Sequence, residues 1–353
     1  MVDKPNALHT LGLEFNVHSI KGVQLNQRKG KPLLGRLYEI PLNGDIAASP
    51  EGPGLLAAIQ KNLAVTSLYI EDVLVRQLEV KLKKESDIDA VLAFQSEPLL
   101  PYPSDQAIID RIPLGATTDG TQLSILAAKK DHIQHHLDQW KSMGVEPEIV
   151  SCAPAALAEF AKFFLPTQSF LFVVHIGATT TSCVLVKEGK LIGAQVFHHG
   201  VQPLRSAYLQ DQPNAAENTF EVLDFAAFKK EDHPRLLFAL ENMRLEITRT
   251  LFALTKLAKG QEINHILVTG EGGSLPHLGM ALCKSMNIAI ALPTSHEGIQ
   301  LPTDQLQRFA IPIGAALTGL PDASNCVDFR QQDYTYPNPW KRYKTPLAIF
   351  FFC

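Results

Sequence analysis

The residues best suited to chemistry in this chain surround a small-residue turn. Residues 171–186 read LFVVHIGATTTSCVLV, in which Gly177, Thr179 and Thr180 form a corner between two apolar runs. A strand, a tight turn and a returning strand direct backbone N–H groups and hydroxyls toward one point, which is how proteins cradle a phosphate group. The stretch therefore predicts a phosphate-binding hairpin.

The same layout occurs a second time near the N-terminus. Residues 11–25 read LGLEFNVHSIKGVQL, with Lys21 on the returning strand. Aligning the two stretches pairs Glu14 with His175, Asn16 with Gly177, and Ser19 with Thr180. The repetition predicts a two-lobed nucleotide-binding scaffold, while the altered acidic and glycine positions indicate that its active site has changed.

A third stretch has the features of an anion-binding or adenosine-binding corner. It combines an apolar strand over 266–269, the glycines Gly270, Gly272 and Gly273, and a helix that begins at Pro276. Backbone N–H groups at the start of a helix favour negative charge. We expect this corner to lie beside the two hairpins.

The remaining segments predict a first lobe over residues 1–80 and a second lobe over 146–325. Between them, residues 81–145 form an inserted block: a helix over 86–97, a hairpin from 107–114 and 122–128, and a helix over 131–144. Apolar residues at a helical period over 232–259 predict a long helix in the second lobe. The last helix is expected over 309–320.

The composition excludes several classes of protein. The chain has 353 residues, 46% of them hydrophobic, which is enough for two to three domains with a substantial core. A net charge of −4 with both signs interspersed gives no reason to expect nucleic acid as a ligand. The five cysteines lack CxxC spacing and fit a reducing compartment. The N-terminus has no secretory signal pattern, so the body of the protein is expected in the cytoplasm.

No catalytic or metal-binding set can be assigned from spacing. The pairs His135-His136 and His198-His199 lack the spacing and the third ligand of a zinc site. His175 is better explained as a packed or hydrogen-bonded histidine than as a ligand, and Lys21 could equally be a solvated strand residue. The glycines Gly177 and Gly270 could serve the turns of a retained fold rather than a ligand.

The C-terminal residues predict proximity to a membrane. Lys341, Arg342 and Lys344 precede an apolar run over 347–353. Basic residues before an apolar run are typical of the cytoplasmic flank of a membrane helix, although seven residues are too few to cross a bilayer. We therefore expect the chain to be cut just inside a membrane span; the alternative is an apolar tail that packs on its own domain.

Taken in order, these motifs resemble a known superfamily. LGLEFNVHSIKGVQL, HIGATTTSCVLVKEGKLIGAQVF, ILVTGEGGSLPHLGMAL and FAIPIGAALTGL resemble the two phosphate motifs, the adenosine motif and the closing helix of actin-like ATPases. Within that superfamily the chain is most similar to the PilM proteins of type IV pilus assembly and the cytoplasmic GspL domain of type II secretion. The resemblance implies an α/β, bilobal actin-like (ribonuclease H-like) ATPase fold with a small inserted α+β subdomain.

The resemblance also implies a set of nucleotide-binding residues, with ATP and Mg²⁺ as the implied cofactors. They are Ser19, Lys21, Gly177, Thr179, Thr180, Gly270, Gly272 and Gly273. Glu14, Asn16 and His175 depart from the family's Asp, Gly and Asp. Since magnesium prefers oxygen ligands and phosphoryl transfer depends on charge positioning, these departures favour loss of hydrolysis, and we assign no catalytic or metal-binding residue.

Residues 326–344 resemble the linker by which GspL-type proteins, or the PilM partner PilN, leave the cytoplasmic domain. The segment Val327-Asp328-Phe329-Arg330 is expected to dock on its own domain, with Val327 and Phe329 in pockets. A flexible linker rich in proline and tyrosine is the alternative.

The resemblance implies a cytoplasmic scaffold at the inner membrane. Its implied partners are PilN-like or GspM-like platform proteins and a secretion motor ATPase, with membrane contact through the C-terminal segment and nucleotide as an optional structural ligand. Two alternatives remain open: an active ATPase or kinase of the same fold, and a filament-forming homologue of the cell-division type. One architecture hosts many functions, so the fold alone does not choose between them.

Overall fold

The computed structural model describes residues 8–42 and 46–337. They form two five-stranded sheets and one three-stranded sheet. The apolar C-terminal run and the basic residues before it lie outside the described residues. Within the described part of the chain, no helix combines the length and the hydrophobicity needed to cross a bilayer.

The first lobe is built on a mixed sheet with the strand order β3-β2-β1-β4-β8. Its strands are β1 (His9–Phe15), β2 (Ser19–Arg28), β3 (Lys31–Pro41), β4 (Leu63–Leu68) and β8 (Ile149–Cys152), and helix α1 (Gly52–Lys61) precedes β4. The first three strands are antiparallel neighbours, whereas β4 pairs parallel to β1 and β8 parallel to β4. Strand β8 forms one edge of this sheet.

The second lobe repeats this order as β11-β10-β9-β12-β13. Its strands are β9 (Phe170–Ile176), β10 (Thr181–Lys187), β11 (Lys190–Phe197), β12 (His265–Thr269) and β13 (Ala289–Ala291). Its helices are α4 (Ala153–Phe164), α5 (Val201–Asp211), α6 (Pro234–Thr255), α7 (Gly270–Ser274), α8 (Leu278–Cys283), α9 (Thr303–Arg308) and α10 (Ala310–Thr318). The matching order of the two sheets confirms the predicted duplication.

The register of the hairpins confirms the alignment of the two repeats residue by residue. Phe15 pairs with Ile20, and Ile176 pairs with Thr181, so each turn contains four residues. In both turns the first N–H donates to the carbonyl of the fourth residue: Asn16 N to Ser19 O at 2.8 Å, and Gly177 N to Thr180 O at 2.9 Å.

The inserted subdomain contains strand β5 (Val73–Val80), helix α2 (Glu85–Ser96), strands β6 (Ala107–Ala116) and β7 (Thr121–Lys129), and helix α3 (Lys130–Ser142). The strand order is β5-β7-β6. This differs from the predicted boundary at residue 80, which placed 73–80 in the first lobe. Strand β5 pairs antiparallel to β7, and Leu78 and Val80 at its end pack in the core of the insertion. The other boundaries stay predictions.

The two lobes meet around the helices α4 and α10, which are almost entirely apolar and buried. The two helices cross so closely that a Cβ on Gly314 would lie 1.9 Å from the carbonyl oxygen of Ala156. Helix α10 also rests on β1, where a Cβ on Gly12 would lie 2.0 Å from the carbonyl oxygen of Pro312. Close packing of this kind fixes the relative position of the two hairpins.

Candidate functional site

The first hairpin places a buried lysine in the cleft between the lobes. Lys21 is only 2% exposed, on a strand whose neighbouring residues are also buried. Its Nζ lies 3.7 Å from the Oε1 of Glu271, which belongs to the glycine corner of the other lobe. A buried ammonium requires a compensating charge, and Glu271 supplies it.

Glu271 also contacts the turn of the first hairpin. The side-chain Nδ2 of Asn16 donates to Glu271 Oε1 at 2.7 Å, and the Asn16 Oδ1 accepts from the Val17 N–H at 2.6 Å. The same carboxylate oxygen thus faces both an amide and an ammonium of the first lobe. Sequence reasoning missed this role of Glu271; the available signal was a charged residue inside a glycine-rich turn.

A second carboxyl group in the cleft is stabilised in its neutral form. Burial raises the pKa of Glu14 from 4.5 to about 7; the Lys21 ammonium opposes this shift, and the negative charge of Glu271 adds to it. Part of the Glu14 residue is accessible, but its Oε2 atom is buried without a hydrogen-bond partner among the described residues. Glu14 therefore does not present a fully ionised carboxylate at neutral pH.

His175 holds the equivalent position in the second hairpin and is buried. Its Nδ1 lies 3.0 Å from the hydroxyl Oγ1 of Thr269 at the end of β12. Burial lowers the pKa of His175 to about 3, and the positive charge of Lys21 adds to the shift. The ring is therefore neutral at physiological pH and acts as a packed, hydrogen-bonded residue, as the sequence predicts.

The second turn is joined to the start of α5. The N–H groups of Val201 and Gln202 donate to the carbonyl oxygens of Gly177 and Ala178 at 2.9 and 2.8 Å. Thr179 is exposed at the tip of the turn. The Gln202 side chain also hydrogen-bonds His18 of the first turn, so α5 connects the two hairpins across the cleft.

The glycine corner packs tightly against the second hairpin. Gly270 has a positive φ of 83°, and a Cβ there would lie 2.4 Å from the carbonyl oxygen of Ile176. A Cβ on Gly272 would lie 2.5 Å from the side chain of Ile176, whereas at Gly273 the nearest atom would be 3.1 Å away, on Val268. The fold itself thus requires glycine at 270 and 272, with or without a ligand.

The structure places all eight predicted nucleotide-binding residues on the two hairpins and the glycine corner, and Thr179 is exposed at the tip of its turn. Their nucleotide-binding role stays a prediction. Within residues 8–42 and 46–337 no group of three or more His, Cys, Asp or Glu side chains is arranged so that it could hold a metal ion.

The second candidate site is the segment after the last helix, which lies along the edge strand β8. Phe329 N donates to the carbonyl oxygen of Val150 at 2.8 Å, and Val150 N donates to Asp328 Oδ1 at 3.1 Å. Val327 is 3% exposed and Phe329 is fully buried. The segment is thus held against the edge of the first sheet by one backbone hydrogen bond and one bond to a side-chain carboxylate.

Polar contacts hold this segment at both ends. Asn325 is buried; its Nδ2 donates to Glu159 Oε2 and to the Gly189 carbonyl, each at 2.8 Å. At the other end Arg330 Nη1 donates to Glu146 Oε1 at 2.7 Å. Because a buried polar group is costly when unpaired, these bonds specify the position of the segment.

A cavity of about 540 Å³ lies between this segment and the insertion. Its lining includes Asp89, Asp110 and Arg111 of the insertion together with Asp328. Asp110 Oδ2 accepts from the Asp328 N–H at 2.9 Å, and burial raises the pKa of Asp110 to about 6 while that bond opposes the shift. The insertion and the C-terminal segment thus form one surface.

Two duplicated lobes around a cleft, with a small α+β insertion, define a protein with the actin-like ATPase fold. The family model of the type IV pilus assembly protein PilM matches residues 55–316. The chain belongs to this family, which confirms the resemblance read from the motifs.

Several solved structures are similar to this chain. The PilM-PilN type IV pilus biogenesis complex matches with a TM-score of 0.67 and 20% identity over 88% of this chain and 98% of that chain. EutJ, an ethanolamine utilization protein from Carboxydothermus hydrogenoformans, matches with a TM-score of 0.47 and 15% identity, over 88% of this chain and 89% of that chain.

The cytoplasmic domain of EpsL, an inner membrane component of the type II secretion system of Vibrio cholerae, matches with a TM-score of 0.42 and 9% identity over 92% of this chain and 99% of that chain. A comparison with curated proteins found no match. The predicted bilobal actin-like fold is confirmed, and the chain is an actin-like protein of the type IV pilus assembly protein PilM family.

Proposed function

We propose that this protein is a scaffold of a type IV pilus or type II secretion platform, which links a motor ATPase to inner-membrane partners at the cytoplasmic face of that membrane. The observation that carries the proposal is the pairing of Lys21 with Glu271 inside the cleft. In an active site of this fold the lysine would be available to phosphate, whereas here an acidic side chain of the same chain already neutralises it.

The residues present do not suit magnesium nucleotide in this arrangement. A polyphosphate brings negative charge, and Glu271 would oppose it at the point where Lys21 should attract it. Glu14, with its pKa raised to about 7, is not fully ionised at neutral pH, and His175 is a neutral ring in place of a carboxylate. Binding of ATP would first require Lys21 and Glu271 to separate. We therefore propose that work is done through surfaces and not by hydrolysis.

The first experiment measures nucleotide binding and turnover. Wild-type protein should show no hydrolysis above background, and calorimetry with Mg-ATP should show no heat of binding. Glu271→Gly removes the opposing carboxylate, so this variant should bind Mg-ATP more tightly than the wild type. Hydrolysis by the wild type that is lost in both Lys21→Ala and Thr180→Ala would instead establish the alternative, an active ATPase.

The second experiment tests the scaffold role in cells that need the machine. Thr180→Ala and Glu271→Gly leave outer surfaces intact and should retain pilus assembly or secretion near the wild-type level. An assembly defect in correctly folded Thr180→Ala protein would contradict a surface-only role. Protein levels and melting temperatures of each variant are the matched controls.

We also propose that the docked segment around Val327, Phe329 and Arg330 presents the chain to the membrane and to a PilN-like or GspM-like partner. The PilM-PilN complex supports a partner of this type, and the C-terminal basic and apolar residues support the membrane contact. Phe329→Ser should lower both the melting temperature and partner recovery in a pull-down. Deletion of 326–353 that changes neither quantity would contradict the docking role.

A further inference from the structure

Helix α6 carries an exposed apolar stripe on the face turned away from its own core. Its inner face is buried through Leu236, Leu240, Met243, Ile247, Leu251 and Leu254. On the outer face Phe238 is 70% exposed, Leu245 48% and Phe252 68%. The outer face of a surface helix is normally polar, and apolar groups that recur along one stripe are a sign of an interaction surface.

The three apolar residues are evenly spaced along the helix. Each follows the previous one by about two helical turns, so the stripe runs about 21 Å from Phe238 to Phe252 with Leu245 at its centre. The next exposed positions on this face are Glu241 and Arg249, one on each side of Leu245. The stripe therefore reads Phe, Glu, Leu, Arg, Phe. The two phenylalanines are equally far from Leu245, and the charged residues on its two sides have opposite signs.

This pattern is complementary to itself when two copies of α6 pack antiparallel. A twofold axis at Leu245 puts Leu245 against its own copy and Phe238 against Phe252 of the second copy. The same axis puts Glu241 of each copy at the level of Arg249 of the other copy. An isologous interface requires this relation, because each residue and its counterpart must match in both directions.

The charges favour a second copy over an unrelated occupant. Within one helix Arg244 contacts Glu241, and Arg249 Nη1 lies 2.6 Å from Glu246 Oε1. Arg244 and Glu246 lie about 100° to either side of Leu245 around the helix, so the charge complementarity between the two copies comes from Glu241 and Arg249. A hollow of about 460 Å³ between α5 and the start of α6, which Phe238 lines, leaves room for an aromatic ring.

We infer that the outer face of α6, defined by Phe238, Glu241, Leu245, Arg249 and Phe252, is a self-association surface through which two copies of this chain form an antiparallel twofold dimer. This inference is independent of the cleft and of the C-terminal segment. Because three apolar residues a side are fewer than a standard interface contains, the dimer should be concentration-dependent.

The test is sedimentation velocity over micromolar to several hundred micromolar protein. Wild-type protein should shift from monomer to dimer with concentration. Leu245→Asp, which places two like charges on the axis, should abolish the shift. Thermal melts of every variant establish that the exposed substitutions leave the monomer folded.

Charge reversal makes the test specific for this geometry. Glu241→Arg and Arg249→Glu each place like charges across the interface, so each should weaken the homodimer by about tenfold. An equimolar mixture of the two variants restores opposite charges at both contacts and should dimerise. The double variant Glu241→Arg/Arg249→Glu should dimerise alone, for the same reason.

The matched controls reverse exposed charges elsewhere. Glu262→Arg and Lys61→Glu change the net charge by the same amounts away from the stripe and should dimerise as the wild type does. A wild type that stays monomeric throughout, or a mixture that fails to restore association, overturns the inference. The stripe would then belong to a different protein or to a lipid surface.

Discussion

The two duplicated hairpins have the same backbone and different side-chain environments. In the first hairpin the Lys21 ammonium is paired across the cleft with the Glu271 carboxylate, which also accepts a hydrogen bond from Asn16, and burial raises the pKa of Glu14. In the second hairpin the equivalent of Glu14 is the neutral His175, and the turn is held by α5 and by the glycine corner. One repeat is therefore stabilised by compensated charge, and the other by close packing.

This difference shows how a phosphate-binding architecture can persist without phosphate. Contacts inside the chain can replace those that a ligand would make, because an internal carboxylate satisfies a buried lysine and tight packing stabilises a turn. The four predictions below separate the two modes of stabilisation, from the largest expected effect to the smallest.

Gly270→Val tests the packed repeat and should have the largest effect. A branched side chain at a positive φ beside the Ile176 carbonyl oxygen, 2.4 Å from the added Cβ, combines backbone strain with overpacking, for a loss of about 4 kcal/mol. Chemical denaturation would measure this loss. Gly260→Val is the control, since its φ is also positive but no atom lies within 4 Å of its Cβ. Equal losses at the two positions would contradict the role of packing.

Lys21→Met tests the charged repeat. Removing the ammonium leaves the Glu271 carboxylate with the Asn16 hydrogen bond but without a compensating positive charge, which should lower the free energy of unfolding by about 3 kcal/mol. The double variant Lys21→Met/Glu271→Gln should recover part of the loss, because no uncompensated charge remains. A double variant that is as unstable as the sum of the single variants would exclude coupling between the two residues.

His175→Phe tests how the second hairpin responds to low pH. The pKa of His175 is about 3 in the folded protein and 6.5 without burial, so its stabilising contribution is present above pH 6.5 and is lost as the pH falls toward 3. Between pH 7 and pH 5 the wild type should lose about 2 kcal/mol more than the variant. If the free energy of unfolding changed with pH in the same way in the wild type and in His175→Phe, burial would not be lowering the pKa of His175, and the prediction would be wrong.

Glu14→Gln tests a group whose pKa is raised, so that its stabilising contribution is lost as the pH rises, and it should have the smallest effect. The pKa of Glu14 is raised from 4.5 to about 7, so its contribution is fully present below pH 4.5 and is lost as the pH rises through 7. The wild type should lose about 1 to 2 kcal/mol relative to Glu14→Gln over that window, since solvent reaches part of the residue. If Glu14→Gln were less stable than the wild type at pH 8, the ionised Glu14 carboxylate would be stabilising, which would contradict a pKa raised by burial.

The agreement between sequence and structure is best where the signal is local. The two hairpin registers follow from alternating apolar runs and four-residue turns, and the long helix α6 follows from its apolar period. The predicted boundary at residue 80 separates β5 from β7, the strand with which it pairs, because the alternation in β5 suits either the first sheet or the insertion. Local pattern identifies a strand but not its neighbour.

The amino-acid sequence by itself determined the duplication, the order of the motifs and the family, because these depend on residues close together in the chain. Only the tertiary structure decided that Glu271 neutralises Lys21, that the residues near Phe329 lie along β8, and that Phe238, Leu245 and Phe252 remain uncovered on α6. Each of these facts depends on which distant segments meet. Burial then assigns the protonation states of Glu14 and His175, since the cost of a charge is set by its surroundings and not by its neighbours in sequence.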